Sequence, residues 1–340
     1  MRIIRPPTAS CPGGSTVHAI RLHAFGPAGN LRHEKTGDPE PGPGEVRIAV
    51  AAAGVHVIDT AIRSGDPKGP YPLPELPTVP GREVAGTVEA TGEGVGPEWL
   101  GRPVVAHLGT VPGGYAELAV TAVEKLHVLP DGRDAAEAVA MIGTGRTAMG
   151  ILRQTPLGPA DTVVVTAAAG GLGSLLVQAA HAAGAVVLGL AGGPAKTARV
   201  LELGADAAVD YSAEGWTDTA EKALAGRPGT VVLDAVGGGL GRGAVDLLGP
   251  GGRYVVYGWA SGGPLRFTPG ELAARGITSS VVLGPPMLRI GLRTLEEEAL
   301  AAWTSGRLTP VVQRFPLAEA AAAHTALEGR GTMGKVVLVP

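Results

Sequence analysis

The stretch Asp161 to Gly193, DTVVVTAAAGGLGSLLVQAAHAAGAVVLGLAGG, decides the fold of this 340-residue chain. Thr162 to Thr166 is a short β-branched run of the kind that forms a strand buried on both faces of a parallel sheet. A glycine turn follows, then a helical segment from about Gly171 to Ala183 that Gly184 should end. Val186 to Leu190 supplies the next strand. This order of elements predicts one unit of a parallel α/β sheet.

The turn between this strand and this helix, residues 168–173, reads Ala-Ala-Gly-Gly-Leu-Gly, an A-x-G-x-x-G form of the dinucleotide-binding fingerprint. Gly170 would let the backbone approach a pyrophosphate, and Gly173 would let the helix pack closely on the strand. Free N–H groups at the start of the helix would face that phosphate. Such turns also occur for steric reasons alone, but two buried strands at the required spacing favour cofactor binding. The predicted contacts are Ala169, Gly170, Gly171, Leu172 and Gly173.

Composition excludes several classes of protein. The chain is 45% hydrophobic and 17% charged, which fits a well-buried core and is unlike a disordered chain. A net charge of -3 provides no basic field, so we expect no nucleic-acid partner and no membrane partner. The apolar stretch Leu172 to Leu190 is interrupted by Gln178, His181 and Gly184, which argues against a membrane span. Cys11 is the only cysteine, which excludes an intramolecular disulfide and suggests a reducing cytoplasm.

The periodicity predicts two kinds of domain. Residues 1–16 are expected to be a disordered lead or a mis-called start, and short strands with turns follow them in a β-rich, partly barrel-like arrangement. Ala135 to Arg153 is helical, with Gly143 and Gly145 breaking the pattern. Strands and helices then alternate up to a sixth strand, Thr278 to Leu283. Six strands joined by right-handed crossovers predict a doubly wound sheet in the order 3-2-1-4-5-6.

Several motifs outside the turn resemble the quinone oxidoreductase family, which are zinc-independent medium-chain dehydrogenases/reductases that include zeta-crystallin. They are Gly54-Val55-His56-Val57-Ile58-Asp59, Leu76-Pro77-Thr78-Val79-Pro80-Gly81, Gly145-Arg146-Thr147-Ala148 and His324-Thr325-Ala326-Leu327-Glu328. The resemblance implies an α/β chain made of two domains. A GroES-like β-rich catalytic domain would comprise residues 17–145 and 284–340, and a Rossmann domain with a doubly wound parallel sheet would comprise residues 146–283.

The resemblance also implies that the cofactor is NADPH. Gly192 lies near the end of the second strand, where an acidic residue would bind the ribose of NAD, and no carboxylate is near it in the sequence. Lys196 and Tyr211 fall where the family contacts the 2′-phosphate of NADPH, and Arg330 fits a third contact. Ligands of such sheets bind over the carboxyl ends of the strands. The loops after strands four and five should therefore line the cofactor through Val236, Gly258 and Ser261.

By the same resemblance, the substrate pocket is formed by His56, Asp59, Tyr71 and Thr147. Quinone reductases usually carry Asn where this chain has His56, whose imidazole could bond to a substrate oxygen or donate a proton. The alternative is that His56 is a packed polar residue with a satisfied partner. Zinc-dependent relatives place a cysteine in the stretch around His56 and a histidine near Arg82. Since His56 and Glu83 alone would make a poor zinc site, we expect no metal.

These observations predict a cytoplasmic, zinc-independent, NADPH-dependent reductase that transfers hydride to a quinone or another conjugated carbonyl compound. An enone or enoyl-thioester double-bond reductase of a tailoring pathway is an alternative. A cofactor-binding, non-catalytic protein of the crystallin kind is another, because folds do not settle function. The apolar strand Thr278 to Leu283 lies at an edge of the sheet, and such an edge needs to be covered or paired with another strand. We therefore also expect a homodimer, in which two such edges pair.

Overall fold

A computed structural model of the chain describes residues 15–66, 72–110 and 112–340. Most of the predicted N-terminal lead and the candidate site residue Tyr71 lie outside the described residues. Thr16, which we placed in the lead, already begins the first strand. The chain folds into two compact units. One contains the described residues up to Val139 with Arg314–Gly329 and Val337–Pro340, and the other contains Ala140–Gln313 and Arg330–Val336.

The second unit contains a six-stranded parallel sheet in the order 3-2-1-4-5-6, which confirms the predicted order. Its strands in chain order are Thr162–Val165, Val186–Ala191, Ala207–Asp210, Gly229–Asp234, Leu248–Val256 and Thr278–Val281. The helices that connect them are Gly171–Ala182, Pro194–Glu202, Trp216–Ala223, Gly238–Asp246 and Glu271–Ala274. The first strand is completely buried because its β-branched side chains face helices on both sides.

Helices beyond the sixth strand also belong to the second unit, whereas the sequence prediction placed everything from residue 284 in the β-rich domain. Pro285–Ile290 and Leu292–Thr304 follow that strand. Arg146 donates to Glu296 at 2.8 Å, and a Cβ at Gly150 would lie 2.5 Å from the methyl carbon of Met287. The boundary differs because these helices bury their apolar faces on the helix that carries Arg146 and Gly150.

The helical pattern from Ala135 onward is continuous. It consists of an α-helix at Ala135–Ala140, a π-helical turn at Met141–Gly145 and an α-helix at Arg146–Gln154. The two glycines that we expected to break the pattern lie in the π-helical turn instead. π-helical turns are rare, and those that occur within α-helices are frequently found at functional sites.

The first unit is built on a seven-stranded sheet whose central pairs are antiparallel. Its strands are Glu45–Val55, Glu83–Thr91, Pro103–His107, Leu118–Ala122, Leu126–Val128, Val312–Pro316 and Lys335–Val339. A separate hairpin pairs Thr16–Leu22 with Leu31–Gly37. Its described helices include Val57–Ser64 and Ala320–Glu328, and single 3₁₀ turns lie at Ala28–Asn30, Pro97–Trp99, Val123–Lys125 and Leu317–Glu319. This is the β-rich architecture that the sequence predicts for the unit. None of the described helices combines the length and the apolar character that crossing a membrane requires.

Candidate active site

The glycine turn that follows the first strand of the parallel sheet is tightly packed. A Cβ at Gly173 would lie 2.2 Å from the carbonyl oxygen of Ala167, so no larger residue fits there. Gly170 has extended backbone with φ −79° and ψ 173°, and the helix begins at the next residue, Gly171. The unsatisfied N–H groups of a helix lie in its first turn, where they attract anions. The turn therefore has the backbone donors that a pyrophosphate requires.

The two remaining predicted residues of the turn differ in their surroundings. Ala169 is buried, and its carbonyl oxygen accepts a hydrogen bond from the Gly334 N–H at 2.7 Å. Leu172 is half-buried in the first turn of the helix. Gly173 is buried as well, whereas Gly170, Gly171 and Leu172 are partly exposed, so the middle of the turn is the part that a phosphate group could reach.

The predicted 2′-phosphate contacts lie around the end of the second strand. The Lys196 ammonium donates to the carbonyl oxygen of Arg330 at 2.6 Å, and a Cβ at Gly192 would lie 3.1 Å from the Tyr211 hydroxyl. Burial, together with the positive charge of Arg330, lowers the pKa of Lys196. Within the described part of the chain neither cation forms an ion pair with a carboxylate. Two neighbouring cations without a counter-charge, beside a phenol donor, fit the phosphate group of NADPH.

One carboxylate near this cluster was not anticipated from the sequence. Asp210 ends the third strand and accepts hydrogen bonds from the Gly193 N–H at 2.8 Å and from the N–H and hydroxyl of Ser212. These hydrogen bonds, the hydroxyl of Ser212 first, lower the pKa of Asp210. It was not anticipated because an acidic residue was expected only directly after the second strand, and Asp210 belongs to the third strand. Asp210 ties the backbone after the second strand to the third strand.

The loops after strands four and five contact each other. This contact is expected, because both loops lie at the same edge of the sheet. The Ser261 N–H donates to the carbonyl oxygen of Val236 at 3.0 Å. A Cβ at Gly258 would lie 2.8 Å from the carbonyl oxygen of Ala235. The Val236 N–H donates to the buried Asp234 carboxylate at 2.9 Å, which holds the first loop. The structure therefore brings Val236, Gly258 and Ser261 together.

Thr147 lies one residue beyond the start of the helix that follows the π-helical turn. Its hydroxyl donates to the carbonyl oxygen of Gly143 at 2.8 Å, so in this structure its proton is used within the helix. Thr144, which sequence reasoning missed, is buried, and a Cβ at Gly171 would lie 3.3 Å from its methyl carbon. The two glycines around Thr144 were the only signal of an unusual turn. The turn therefore places a threonine beside the start of the helix Gly171–Ala182.

In the first unit, His56 immediately precedes the helix Val57–Ser64. Its Nε2 atom lies 2.6 Å from Oε1 of Glu83, whose side chain is completely buried, whereas the His56 side chain is 23% exposed. The His56 backbone N–H donates to the Asp59 carboxylate at 2.8 Å. His56 thus has a polar partner, as the packing interpretation requires. Its ring is also partly exposed, as a contact with substrate requires.

Asp59, which the resemblance places in the substrate pocket, lies in a buried polar network. It accepts hydrogen bonds from the Tyr115 hydroxyl at 3.0 Å and from Arg82 at 3.3 Å. The Tyr115 hydroxyl also lies 3.3 Å from Nε2 of His324. Burial raises the pKa of Tyr115 well above its usual range and lowers the pKa of His324 to about 4. Sequence reasoning missed Tyr115 and His324 as partners, because their positions in the chain give no sign of the contact.

Among residues 15–66, 72–110 and 112–340, no three His, Cys, Asp or Glu side chains are grouped so that they could hold a metal ion. The expected absence of zinc stays a prediction. Arg146 pairs with Glu296 within the second unit.

Comparison with known proteins places these features in a family. An alcohol dehydrogenase GroES-like domain model matches residues 42–131, and a model described as a zinc-binding dehydrogenase matches residues 203–338. The quinone oxidoreductase of Pseudomonas aeruginosa is 37% identical over 329 residues, which are 94% of this chain and 99% of that protein. The chain belongs to the quinone oxidoreductase family.

Other members of the quinone oxidoreductase family and its relatives agree with this assignment. A 2-haloacrylate reductase of a Burkholderia species is 33% identical over 95% of this chain and 99% of that protein. The crystal structure of Escherichia coli quinone oxidoreductase complexed with NADPH superposes with a TM-score of 0.81 at 29% identity, covering 96% of this chain and 100% of that chain. The predicted family and the predicted fold class are confirmed.

Proposed function

We propose that conjugated carbonyl compounds are the acceptors of this NADPH-dependent reductase. Quinones come first, and α,β-unsaturated ketones, aldehydes or enoyl thioesters come second. Quinone oxidoreductases are among the chain's relatives, and another relative is named for reducing 2-haloacrylate, in which a double bond is conjugated with a carboxylate. The observation that carries the cofactor assignment is the pair of cations, Lys196 and Arg330, that has no carboxylate partner among the described residues.

The residues of the second unit have distinct parts in this proposal. The backbone from Ala169 to Gly173 binds the pyrophosphate, while Lys196, Tyr211 and Arg330 bind the 2′-phosphate beside Gly192. The loops that contain Val236, Gly258 and Ser261 line the remainder of the cofactor. When bound, NADPH supplies a hydride, and the protein binds and orients the acceptor.

His56 is proposed to form a hydrogen bond with the carbonyl oxygen of the acceptor, and Thr147 and Tyr71 are proposed as further substrate contacts. When the hydride is transferred, negative charge develops on that oxygen. A fixed hydrogen-bond donor stabilises this charge. Thr147 must rotate its hydroxyl away from Gly143 to act as such a donor. A quinone needs no fixed acid, because its hydroquinone anion can take a proton from water.

We also propose that the protein is a homodimer of the cytoplasm. The last strand of the parallel sheet, Thr278–Val281, is exposed along its whole length, and Val281 is 54% exposed. An exposed edge strand is a template for pairing, and two identical edges close by two-fold symmetry. Support for the compartment is the single cysteine, Cys11, which suits a reducing environment.

The function is tested by following NADPH absorbance with a panel of quinones and enones. We expect oxidation of NADPH in the presence of quinones and a slower reaction with at least one enone. Activity with enoyl thioesters alone would favour the tailoring-pathway alternative. Tight NADPH binding without turnover on any acceptor would contradict an enzymatic role and favour the non-catalytic alternative.

A further inference from the structure

The segment that follows the second strand of the parallel sheet is tied to the end of the third strand by two hydrogen bonds. The Tyr211 N–H donates to the carbonyl oxygen of Ala191, the last residue of the second strand, at 3.1 Å. Beyond that strand, the Gly193 N–H donates to Oδ1 of Asp210 at 2.8 Å. The side chain of Asp210 therefore extends the connection between the two strands past the end of the sheet.

Gly193 is a position whose conformation the chain does not fix by itself. It has φ of +86° and ψ of 159°, and it immediately precedes the helix Pro194–Glu202. A glycine loses more conformational freedom when it is ordered than any other residue. Its carbonyl oxygen accepts a hydrogen bond from the Thr197 N–H at 3.2 Å, within the helix, while its N–H is held by Asp210. The bond to Asp210 therefore fixes the start of the helix relative to the third strand.

Three donors converge on one oxygen of Asp210. Besides the Gly193 N–H, the Ser212 N–H donates to Oδ1 at 2.9 Å, and the Ser212 hydroxyl donates to the same atom. A bond from the side chain of an aspartate to the N–H two residues later is a local turn that this residue type forms readily. Because these local bonds hold the carboxylate in one orientation, Asp210 offers Gly193 a fixed acceptor.

Gly193 lies between two of the residues assigned to the 2′-phosphate. On one side, a Cβ at Gly192 would lie 3.1 Å from the Tyr211 hydroxyl. On the other side, Lys196 lies in the first turn of the helix, and its ammonium group donates to the carbonyl oxygen of Arg330 at 2.6 Å. A displacement of Gly193 would therefore move the start of the helix that carries Lys196 relative to the Tyr211 phenol.

We propose that Asp210 is a positioning residue of the 2′-phosphate site. By accepting the Gly193 N–H, it holds the start of the helix so that Lys196 and Tyr211 bind the same phosphate group. A site that is formed before the ligand arrives binds more tightly, because less conformational freedom is lost on binding. The inference rests on the proposed function, since it takes Lys196 and Tyr211 as phosphate contacts. It adds a residue that acts through the backbone of Gly193.

The negative charge of Asp210 by itself predicts different effects. A carboxylate near a phosphate group repels it, so if repulsion dominated, a variant without the charge would bind NADPH more tightly. A carboxylate that bound a ribose hydroxyl, as acidic residues do in NAD sites, would favour NADH. Positioning, repulsion and ribose binding therefore predict different changes in the dissociation constants of the two cofactors.

Titration calorimetry of the full chain with NADPH and with NADH separates these roles. Asp210→Ala removes the acceptor and should raise the dissociation constant for NADPH by about tenfold, which corresponds to the loss of one charge-assisted hydrogen bond. The constant for NADH should stay the same, because NADH has no 2′-phosphate. Asp210→Asn keeps an oxygen that can accept the Gly193 N–H and should recover the binding of NADPH.

Asp206 provides a matched control. It immediately precedes the third strand, Ala207–Asp210, and it also accepts a backbone N–H from the second strand, that of Val187, at 2.8 Å. This bond lies at the opposite end of the two strands from Gly193. Asp206→Ala thus removes an equivalent hydrogen bond far from the phosphate site and should leave both dissociation constants unchanged.

Four results with the variants would overturn the inference. They are tighter NADPH binding by Asp210→Ala, equal losses for the two cofactors, a greater loss for NADH, and no recovery by Asp210→Asn. A measurement on the unaltered protein keeps the test independent of whether the variants fold. The Gly193 amide should be protected from hydrogen exchange without cofactor, and exchange as fast as that of an unstructured amide would overturn the inference.

Failure of the proposed function is distinguishable from failure of this inference. An unaltered protein that binds NADPH and NADH equally refutes the phosphate site itself, whatever the protection of Gly193. An unaltered protein that prefers NADPH but reduces no acceptor refutes the proposed reaction and leaves the role of Asp210 to be decided by the calorimetry.

Discussion

The ammonium group of Lys196 donates to the carbonyl oxygen of Arg330, 134 residues away in the chain, at a distance of 2.6 Å. Arg330 has φ of +55°, a left-handed conformation that residues with a Cβ rarely adopt. The charge of Arg330 acts on Lys196, because it lowers the pKa of that ammonium group after burial has done so. Two cations that repel each other in this way favour an anionic ligand.

This cluster predicts a preference for NADPH over NADH. Each charge-assisted bond to the 2′-phosphate contributes about 1.5–3 kcal/mol, so the dissociation constants should differ at least tenfold. Lys196→Ala should narrow the difference chiefly by weakening NADPH. Titration calorimetry measures both constants. Arg199→Ala is the control, because Arg199 pairs with Glu202 at 2.7 Å. Equal constants for the two cofactors in the unaltered protein would contradict the prediction.

Metal independence is a second prediction. The single cysteine and the arginine at position 82 leave too few ligands for a catalytic zinc ion, which needs about three from the protein. Dialysis against a chelator should leave NADPH oxidation unchanged, and elemental analysis should find no zinc. Stoichiometric zinc whose removal abolishes turnover would refute this expectation.

The exposed edge strand predicts a homodimer by light scattering at micromolar concentration. Val281→Lys places a charge on that edge, which should oppose strand pairing and shift the mass toward the monomer. Leu201→Lys is the control, because Leu201 is similarly exposed on the helix Pro194–Glu202. A monomeric mass for the unaltered protein would show that the edge is covered in some other way.

His56→Asn tests whether the ring exchanges a proton during turnover. Asparagine keeps a hydrogen-bond donor but cannot change its charge, so the variant should bind NADPH normally and show a flatter pH profile of turnover. Positioned acids contribute about 10²–10⁴-fold. The loss should be greater for enones than for quinones, because enone reduction ends in a carbon-bound proton. An unchanged pH–rate profile with both acceptor classes would assign His56 to packing alone.

Burial of His324 predicts a loss of stability in mild acid. Its pKa falls from 6.5 to about 4 on folding because burial penalises the charged ring. As pH falls from 6.5 toward 4, the unfolded chain gains a proton that the folded chain does not, so the free energy of unfolding should decrease by about 3 kcal/mol at most. Denaturant titrations of His324→Gln over this range should show a smaller decrease than those of the unaltered protein. If the free energy of unfolding had the same pH dependence in both proteins, groups other than His324 would dominate the loss of stability in acid.

Local sequence determined most of the parallel sheet and the cofactor turn. The β-branched run at Thr162–Val165 can be satisfied only by burial on both faces, and Gly173 is required because a Cβ would collide with the backbone. Both constraints act over a few residues, so pattern and spacing reveal them. The strand order then followed from the handedness of crossovers, which is a general rule and not a property of this chain.

Only the tertiary structure decided which side chains meet. Glu83 contacts His56 across 27 residues, the Tyr115 hydroxyl contacts His324 across 209, and Asp210 reaches the backbone of Gly193 from the next strand. The helices after residue 284 likewise joined the second unit because of the faces that they bury. Such pairs depend on strand register and on packing between distant segments, and neither periodicity nor residue type carries that information. The glycine turn can therefore be predicted from the sequence. The environment of His56 is determined only by the folded structure.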